Sequence, residues 1–399
     1  MIKIAFIKFG GMAIGGTEKV LQTIAAELPK DEFLVDYFYC DAAPYIGSDF
    51  KHIDTDPSRV EYVKEHGVNT IKFNVEFKDV TKSTHDWINT DFWDYFDENN
   101  YDIIQTGRSG HPEYPFHMIN KTPIVDSIHL SGMAENKANS LKTVLISNEQ
   151  RQRWIASGGP VERAVTIPNP LKIPNVGNIN YREEFGWQDK FIFGLHQRRD
   201  NNIFSPIPLE AYDEIETDNT AFLLLGGSEN YQKQAKDLGL KNFKYLPTTG
   251  ELEPIHKFLN TLDVYAHGRS DGEQCSCAII EAMSHSLPVI SHTAPSMGQA
   301  EQIDNAGKVV DNYEQYSNVM IDMLYDKNYY DNTSAHDGTY KNIDEFYVAI
   351  DALLKPKPKG KALKDKKKRT AQSAYQREKL GDAYIENDAL ISAAKASAY

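Results

Sequence analysis

Two glutamates, Glu273 and Glu281, stand eight residues apart in the segment 271–290. Residues 277–285 read as a helix, and eight residues of helix span roughly 12 Å along the axis. That separation suits two hydroxyl-bearing rings that flank a diphosphate, because carboxylates accept hydrogen bonds from vicinal hydroxyls. The start of the helix would then point at the phosphates. The same pair also fits a plainer interpretation, in which Glu281 caps or salt-bridges its own helix and Glu273 is solvated.

The elements that would position this pair alternate between strand and helix in two successive groups. Residues 2–7 form a mostly apolar strand, followed by a loop containing Gly10, Gly11, Gly15 and Gly16 and by a helix that starts at Thr17. Further strands are predicted at 33–40, 70–73, 103–105, 124–127 and 143–147, and then at 191–195, 221–225, 243–246, 264–266, 289–291 and 308–310. The alternation indicates doubly wound parallel sheets.

A polar passage rich in proline and asparagine, residues 168–180, is the predicted linker between the groups. We therefore predict an α/β protein with an N-terminal Rossmann-like domain over 1–172 and a C-terminal one over 173–335, facing each other across a cleft. A closing helix is predicted within 336–354. The basic tail that follows, 355–399, is too charged and proline-rich near its start to pack, and is expected to be partly disordered or helical.

Composition limits the function. The chain has 399 residues, 41% of them apolar, and a net charge of −14. Residues 355–370 hold eight lysines, one arginine and one aspartate, a net +8, which leaves −22 for the rest. An acidic body makes nucleic acid an unlikely partner, and no apolar run approaches a membrane span. Three cysteines predict no disulfide framework and fit a reducing, cytoplasmic location.

Several segments resemble retaining glycosyltransferases of family 4, which have the GT-B fold. The pair Glu273 and Glu281, followed by Ala-Met-x-x-x-x-Pro-Val-Ile, resembles the E-x7-E signature of that family. Asp263-Val264 resembles the aspartate-containing strand that precedes the signature, and Gly15-Gly16-Thr17-Glu18 resembles the N-terminal glycine loop. The segments 145–147 and 167–169 are similar to two conserved segments at the end of the first domain. The resemblance covers residues 1–354.

The resemblance implies roles for individual residues. Glu281 would bind the ribose of the nucleotide, and Glu273 the hydroxyls of the transferred sugar. The glycine loop at Gly15 and Gly16 would lie at the donor site. The backbone N–H groups of Cys275, Ser276 and Cys277 would approach the sugar and diphosphate. Arg198 or Arg199 would neutralise the departing phosphate, and His129 matches a histidine that contacts donor sugar or acceptor.

The sequence departs from the family pattern at three places. No lysine follows Arg198 within the segment 198–204, although the family has one there, and an arginine does not replace a lysine exactly in shape or hydration. Gln274-Cys275-Ser276 replaces the usual Gly-Phe-Gly. Ser296-Met-Gly298 matches a later glycine-rich element only in part. A catalytically impaired relative that binds nucleotide sugar or glycan is therefore the alternative function.

Weaker candidates have plainer explanations. Asp54-x-Asp56 has the form of a metal-binding D-x-D, but Asp-Pro commonly marks a turn. Asp41 would suit a dinucleotide ribose, although the glycine spacing is not that of a dinucleotide fingerprint. Cys275-x-Cys277 lacks the second cysteine pair of a zinc site. Three residues after the strand at 103–105 could touch an acceptor or be ordinary loop residues: Arg108, His111 and Tyr114.

Together these features predict a metal-independent, retaining glycosyltransferase that needs no cofactor. Its donor substrate would be a nucleotide-diphosphate sugar, UDP or GDP being favoured, and its acceptor a hydroxyl of a glycan, polysaccharide or glycolipid. Residues 355–370 would allow peripheral binding to an anionic membrane surface, at about 1 kcal/mol per basic residue, or would simply be a solvated terminus.

Overall fold

The computed structural model describes residues 1–41, 54–79, 86–108, 114–129, 138–172 and 177–326. Within these ranges the chain forms two parallel sheets, the first between residues 2 and 166 and the second between residues 191 and 310. The predicted closing helix within 336–354, the basic tail 355–399 and His111 lie outside the described residues.

The first sheet contains seven parallel strands among the described residues. They are β1 (Ile2–Phe9), β2 (Phe33–Cys40), β3 (Asn69–Lys72), β6 (Ile103–Arg108), β7 (Ile124–Ile128), β8 (Ser140–Leu145) and β9 (Ala164–Thr166), with β4 (Val75–Asp79) and β5 (Asp86–Thr90) forming a separate antiparallel hairpin. Their order is β3, β2, β1, β6, β7, β8, β9. The central strands are buried on both faces, since Ala5, Phe6 and Ile104 are at most 1% exposed, and this explains why they read as continuous apolar runs.

The second sheet has six parallel strands in the part of the chain that the structure describes. They are β10 (Phe191–Gln197), β11 (Thr220–Gly226), β12 (Phe243–Leu246), β13 (Val264–Ala266), β15 (Val289–His292) and β17 (Gly307–Val310), in the order β12, β11, β10, β13, β15, β17. The short strands β14 (Gly272–Glu273) and β16 (Ser296–Met297) pair with each other outside this sheet. Phe193, Phe222 and Val264 are fully buried in its core.

Helices connect the parallel strands. They are α1 (Gly16–Glu27), α2 (Pro57–Glu65), α3 (Phe92–Tyr95), α4 (Asn148–Ala156), α5 (Arg182–Phe185), α6 (Ile207–Asp213), α7 (Glu229–Leu238), α8 (Leu252–Leu259), α9 (Cys277–Ser284), α10 (Gly298–Ile303) and α11 (Tyr313–Tyr325). Of these, none is long and apolar enough to cross a membrane. One face of α1 is buried at Val20, Leu21, Ile24 and Ala25, as is Leu28 directly after the helix.

The first turn of α4 is capped from the second half of the molecule. Glu301 of α10 accepts hydrogen bonds from the backbone N–H groups of Asn148 and Glu149, at 3.0 and 3.3 Å to Oε2, and from Asn148 Nδ2 at 2.8 Å to Oε1. A carboxylate suits this place because the N-terminal N–H groups of a helix lack partners within the helix and carry partial positive charge. The contact therefore ties the end of the first sheet to α10.

Candidate active site

Glu281 is buried on α9, at 4% exposure, and is held by residues from two other elements. Its Oε1 pairs with the ammonium of Lys19 on α1, and its Oε2 lies 2.8 Å from Nε2 of His196 on β10. Burial alone would raise the pKa of this carboxyl, but the charge of Lys19 and the hydrogen bond from His196 outweigh burial and hold the pKa well below its usual range. Glu281 is therefore an anion that links α1 to the second sheet, rather than a residue that bonds to its own helix.

Glu273 precedes α9 and is held by its own part of the chain. Its Oε1 accepts hydrogen bonds from Arg269 Nη1 and from Ser276 Oγ, each at 3.2 Å, and lies 3.9 Å from His267 Nε2. Burial would raise the pKa of Glu273, yet the neighbouring His267 ring and the charge of Arg269 lower it overall. The side chain is 19% exposed, so it is neither fully solvated nor sealed off.

The backbone around Glu273 is fixed by close packing against the segment 296–302. Gly272 has φ +76°, and a Cβ at this residue would come 1.9 Å from the carbonyl oxygen of Ser296, so a side chain is excluded by both conformation and space. Gln299 Oε1 accepts the N–H of Glu273 at 3.1 Å, and Gln302 Oε1 accepts the N–H of Ser276 at 2.8 Å. The N–H of Ser276, expected at the sugar and diphosphate, is thus already bonded to Gln302.

The glycine loop of the first domain lies against the start of α9. The sulfur of Cys277 is 3.7 Å from the carbonyl oxygen of Gly16. A Cβ at Gly15 would come 2.1 Å from a carboxylate oxygen of Glu18, so the absence of a side chain there lets Glu18 fold back over the loop. The structure therefore brings four predicted residues to one place: Gly15, Gly16, Cys277 and Glu281.

Two predicted family segments at the end of the first sheet also reach the segment that carries Glu273. Ser147 Oγ donates a hydrogen bond to Gln274 Oε1 at 3.2 Å, and Asn169 Nδ2 donates one to the carbonyl of Cys275 at 2.8 Å. Cys275 is buried beside Ile146. These bonds position the loop before α9 from the opposite half of the molecule.

Arg198 and Arg199 lie on the surface just after β10, away from the two glutamates. Arg198 donates to Asp200 at 2.9 Å, and Arg199 pairs with Glu229, with the two arginine side chains 57% and 65% exposed. In the described part of the chain neither arginine forms a hydrogen bond or ion pair with Glu273 or Glu281. Exposed pairs of this kind are weak, usually below about 1 kcal/mol, so either arginine is easily released to another anion.

His129 directly follows β7, at the carboxyl edge where parallel sheets bind ligands. The side chain is buried, and its Nε2 has no hydrogen-bond partner among the described residues. Burial, together with the charge of Lys8, lowers the pKa of His129 to about 3, so the ring is neutral at physiological pH. A neutral, buried imidazole can donate a hydrogen bond to an uncharged group or accept one from it.

The weaker candidates have structural explanations. Asp56 accepts the N–H of Ser58 at 2.8 Å and so caps α2. Asp41 pairs with Lys72 at 2.7 Å, and the hydroxyl of Tyr114 bonds to the indole of Trp93. Over the described ranges no cluster of three or more His, Cys, Asp or Glu could hold a metal ion.

Sequence reasoning missed four residues that contact the two glutamates: Lys19, His196, His267 and Arg269. His196 and His267 each follow a predicted strand directly, at 191–195 and 264–266, which is a position that could have marked them. Arg269 stands four residues before Glu273. Lys19 carries no local signal, because only the packing of α1 against α9 places it beside Glu281.

Comparison with known proteins supports the fold. A family model described as "Glycosyl transferases group 1" matches residues 207–337, which include Arg269 and both glutamates. Comparison with curated protein sequences finds no match.

Solved structures resemble most of the chain in fold. Anabaena HepE, determined with UDP and glucose, is 16% identical with a TM-score of 0.65, covering 89% of this chain and 99% of that one. S. aureus TarM, determined as a mutant with fondaparinux, alpha-GlcNAc-glycerol and UDP, is 12% identical with a TM-score of 0.62, covering 89% and 100%. Sucrose-phosphate synthase from Thermosynechococcus elongatus is 14% identical with a TM-score of 0.60, covering 84% and 92%. The predicted GT-B architecture, with two parallel α/β sheets, is confirmed.

Proposed function

We propose that the protein is a retaining glycosyltransferase of the family 4 type, which moves a sugar from a nucleotide-diphosphate sugar to a hydroxyl of a glycan, polysaccharide or glycolipid. The observation that carries the proposal is the pair Glu273 and Glu281. Both carboxylates have lowered pKa values and stand on either side of the start of α9, inside the range that the glycosyltransferase family model matches.

The two glutamates would bind the two sugar rings of the donor. Glu281 would accept hydrogen bonds from the ribose and Glu273 from the transferred sugar, with the diphosphate between them at the start of α9. Because the HepE and TarM structures contain UDP, we favour a UDP-sugar as the donor, with a GDP-sugar as the other candidate.

Catalysis would depend on stabilising the leaving group. As the glycosidic bond lengthens, negative charge grows on the β-phosphate, and a preorganised cation and helix N-terminus stabilise that charge. Arg198 or Arg199 would provide the cation after leaving its acidic neighbour, without a metal ion or other cofactor. The neutral ring of His129 would bind donor sugar or acceptor. Closure of the two halves would exclude water and limit hydrolysis of the donor.

A non-catalytic nucleotide-sugar or glycan-binding protein is the second candidate function. One observation favours it: the segment after Arg198 lacks a lysine.

We further propose that the protein works in the cytoplasm, with residues 355–370 available to bind an anionic membrane.

Turnover assays with UDP-, GDP- and ADP-sugars test the proposal. We expect one donor to be consumed, and Glu281→Gln to weaken binding of that nucleotide by about 10- to 100-fold, the effect of losing one or two charge-assisted hydrogen bonds. Glu184→Gln is the matched control, since Glu184 is an exposed carboxylate paired with Lys257. Binding without turnover for any donor would support the second candidate, and no binding to any nucleotide would reject the glycosyltransferase and leave glycan binding as the surviving form of the second candidate.

A further inference from the structure

Lys19 forms an ion pair with the carboxylate of Glu281, which the proposed function assigns to binding the nucleotide ribose. Its ammonium pairs with Glu281 Oε1, while His196 bonds to Oε2, and the Lys19 side chain is only 13% exposed. An ammonium has three donors and no acceptor, so it satisfies Glu281 in the same way that ribose hydroxyls would. A nucleotide that bonds to Oε1 must therefore displace Lys19 or share the oxygen with it.

The place to which Lys19 can move is set by its own helix. Lys19 lies one turn into α1, whose first residue Gly16 is in contact with Cys277 at the start of α9. The proposed diphosphate position lies between Glu281 and Glu273, which is the start of α9. A shift of the flexible lysine stem from Glu281 toward Cys277 therefore brings the ammonium to the phosphates.

The charges around the site leave a role for such a cation. Arg198 and Arg199 are exposed and paired with acids, and the segment 198–204 contains no lysine. Arg269 is already bonded to Asp271 at 2.6 Å and to Glu273. A diphosphate has negative charge to be neutralised, and Lys19 is a partly buried cation whose present partner, Glu281, would bind the ribose instead.

We propose that Lys19 is a donor-binding residue that pairs with Glu281 in the empty protein and transfers to the diphosphate when the nucleotide binds. This proposal rests on the proposed function. Lys19 on α1 would thus supply a phosphate-binding lysine, which the segment 198–204 does not contain. Ribose and diphosphate then bind cooperatively, because each releases one partner of the same ion pair.

The first test compares a nucleoside with its diphosphate. Calorimetry would measure the binding of uridine, UDP, guanosine and GDP to the full-length protein, to Lys19→Gln, and to Lys257→Gln as a surface control. We expect Lys19→Gln to weaken the diphosphate at least tenfold while leaving the nucleoside unchanged or tighter, and Lys19→Arg to restore the ratio of the two dissociation constants to within about threefold. An equal effect of Lys19→Gln on both ligands would overturn the proposal.

The second test uses the unmodified protein and does not depend on how the variants fold. With inorganic phosphate as the probe, the nucleoside whose diphosphate binds should bind at least threefold more tightly when phosphate is present. Phosphate that leaves nucleoside binding unchanged, or weakens it, would overturn the role of Lys19. If the unmodified protein binds no nucleoside diphosphate at all, the proposed function itself fails and this proposal fails with it.

Discussion

The surroundings of Glu281 and of Glu273 differ in where their cations come from. Glu281 depends on Lys19, 262 positions earlier in the chain and in the other half of the molecule. Glu273 depends on Arg269, four positions earlier in the same loop. The charge of Glu281 is therefore tied to the contact between the two halves, whereas the charge of Glu273 is maintained by the second half alone. Two residues of one signature thus differ in how strongly a movement of the halves affects them.

The largest expected effect comes from removing the negative charge of Glu281 and, for comparison, that of Glu273. Glu281→Gln should lower the free energy of unfolding by about 3 kcal/mol, because it leaves the ammonium of Lys19, whose side chain is only 13% exposed, uncompensated. Glu273→Gln should cost only about 1 kcal/mol, since Arg269 keeps its two hydrogen bonds to Asp271. Urea unfolding followed by circular dichroism measures both, and equal losses would contradict the distinction.

Pairing the first variant with a second change isolates the link between the halves. Lys19→Met combined with Glu281→Gln should recover part of the stability lost in Glu281→Gln alone, because no unpaired charge remains. A double variant less stable than Glu281→Gln would indicate that the ion pair is not the source of the loss.

A comparable effect should come from the backbone that holds Glu273. Gly272→Ala should lower the free energy of unfolding by about 3 kcal/mol, from a left-handed φ and a collision with Ser296. Gly239→Ala is the matched control: Gly239 has φ +74° but nothing within 4 Å of a Cβ, so it should cost only about 1 kcal/mol. Thermal and urea unfolding measure the difference. Equal losses of stability in Gly272→Ala and Gly239→Ala would show that the backbone at Ser296 moves aside at little energetic cost.

The smallest effect concerns pH near Glu281. Burial, and then the neighbouring His285, lowers the pKa of His256 from 6.5 to about 4, with Glu281, Lys19 and His196 also facing it. His256 Nδ1 is 2.7 Å from His285 Nε2. Because the unfolded chain binds a proton on His256 below pH 6.5 and the folded chain does not, stability falls as the pH drops from 6.5 to 4.

His256→Asn should reduce that pH dependence. The slope of unfolding free energy against pH should decrease by less than about 1.4 kcal/mol per pH unit, the value of one whole proton. Some slope should remain, because burial also lowers the pKa of His285. Urea unfolding at intervals between pH 4 and 7 measures it, and an unchanged slope would show that the pKa of His256 is the same in the folded and the unfolded chain.

Most of the fold could be predicted from the sequence because buried parallel strands are continuous apolar runs. The strands predicted at 33–40, 243–246 and 264–266 have these bounds in the structure. The edge strand β9 was missed because it is only partly buried and lacks the continuous apolar run of the central strands, and the hairpin β4–β5 because it is rich in charged and polar residues. The domain boundary at residue 172 and the roles of the predicted site residues stay predictions.

Sequence patterns could indicate the candidate site residues that lie within recognisable segments, but not the residues that pair with them. Glu273 and Glu281 share one segment and a recognisable spacing. Their partners Lys19 and His196 come from α1 and β10, and no local pattern links a lysine near the N-terminus with a glutamate in the second sheet. The family resemblance implies a phosphate-binding role for Arg198 or Arg199, but in the structure the local acids Asp200 and Glu229 pair with their side chains.

The cap that Glu301 provides to α4 limits how the halves can swing apart. Losing such a cap costs about 0.5–2 kcal/mol, so the least costly rotation keeps Glu301 in place and uses it as a pivot. Lys19 and Glu281 belong to different elements, α1 and α9, and their ion pair is one of the contacts between the halves that such a rotation would strain, together with the hydrogen bond from Arg59 to the carbonyl oxygen of Gly250.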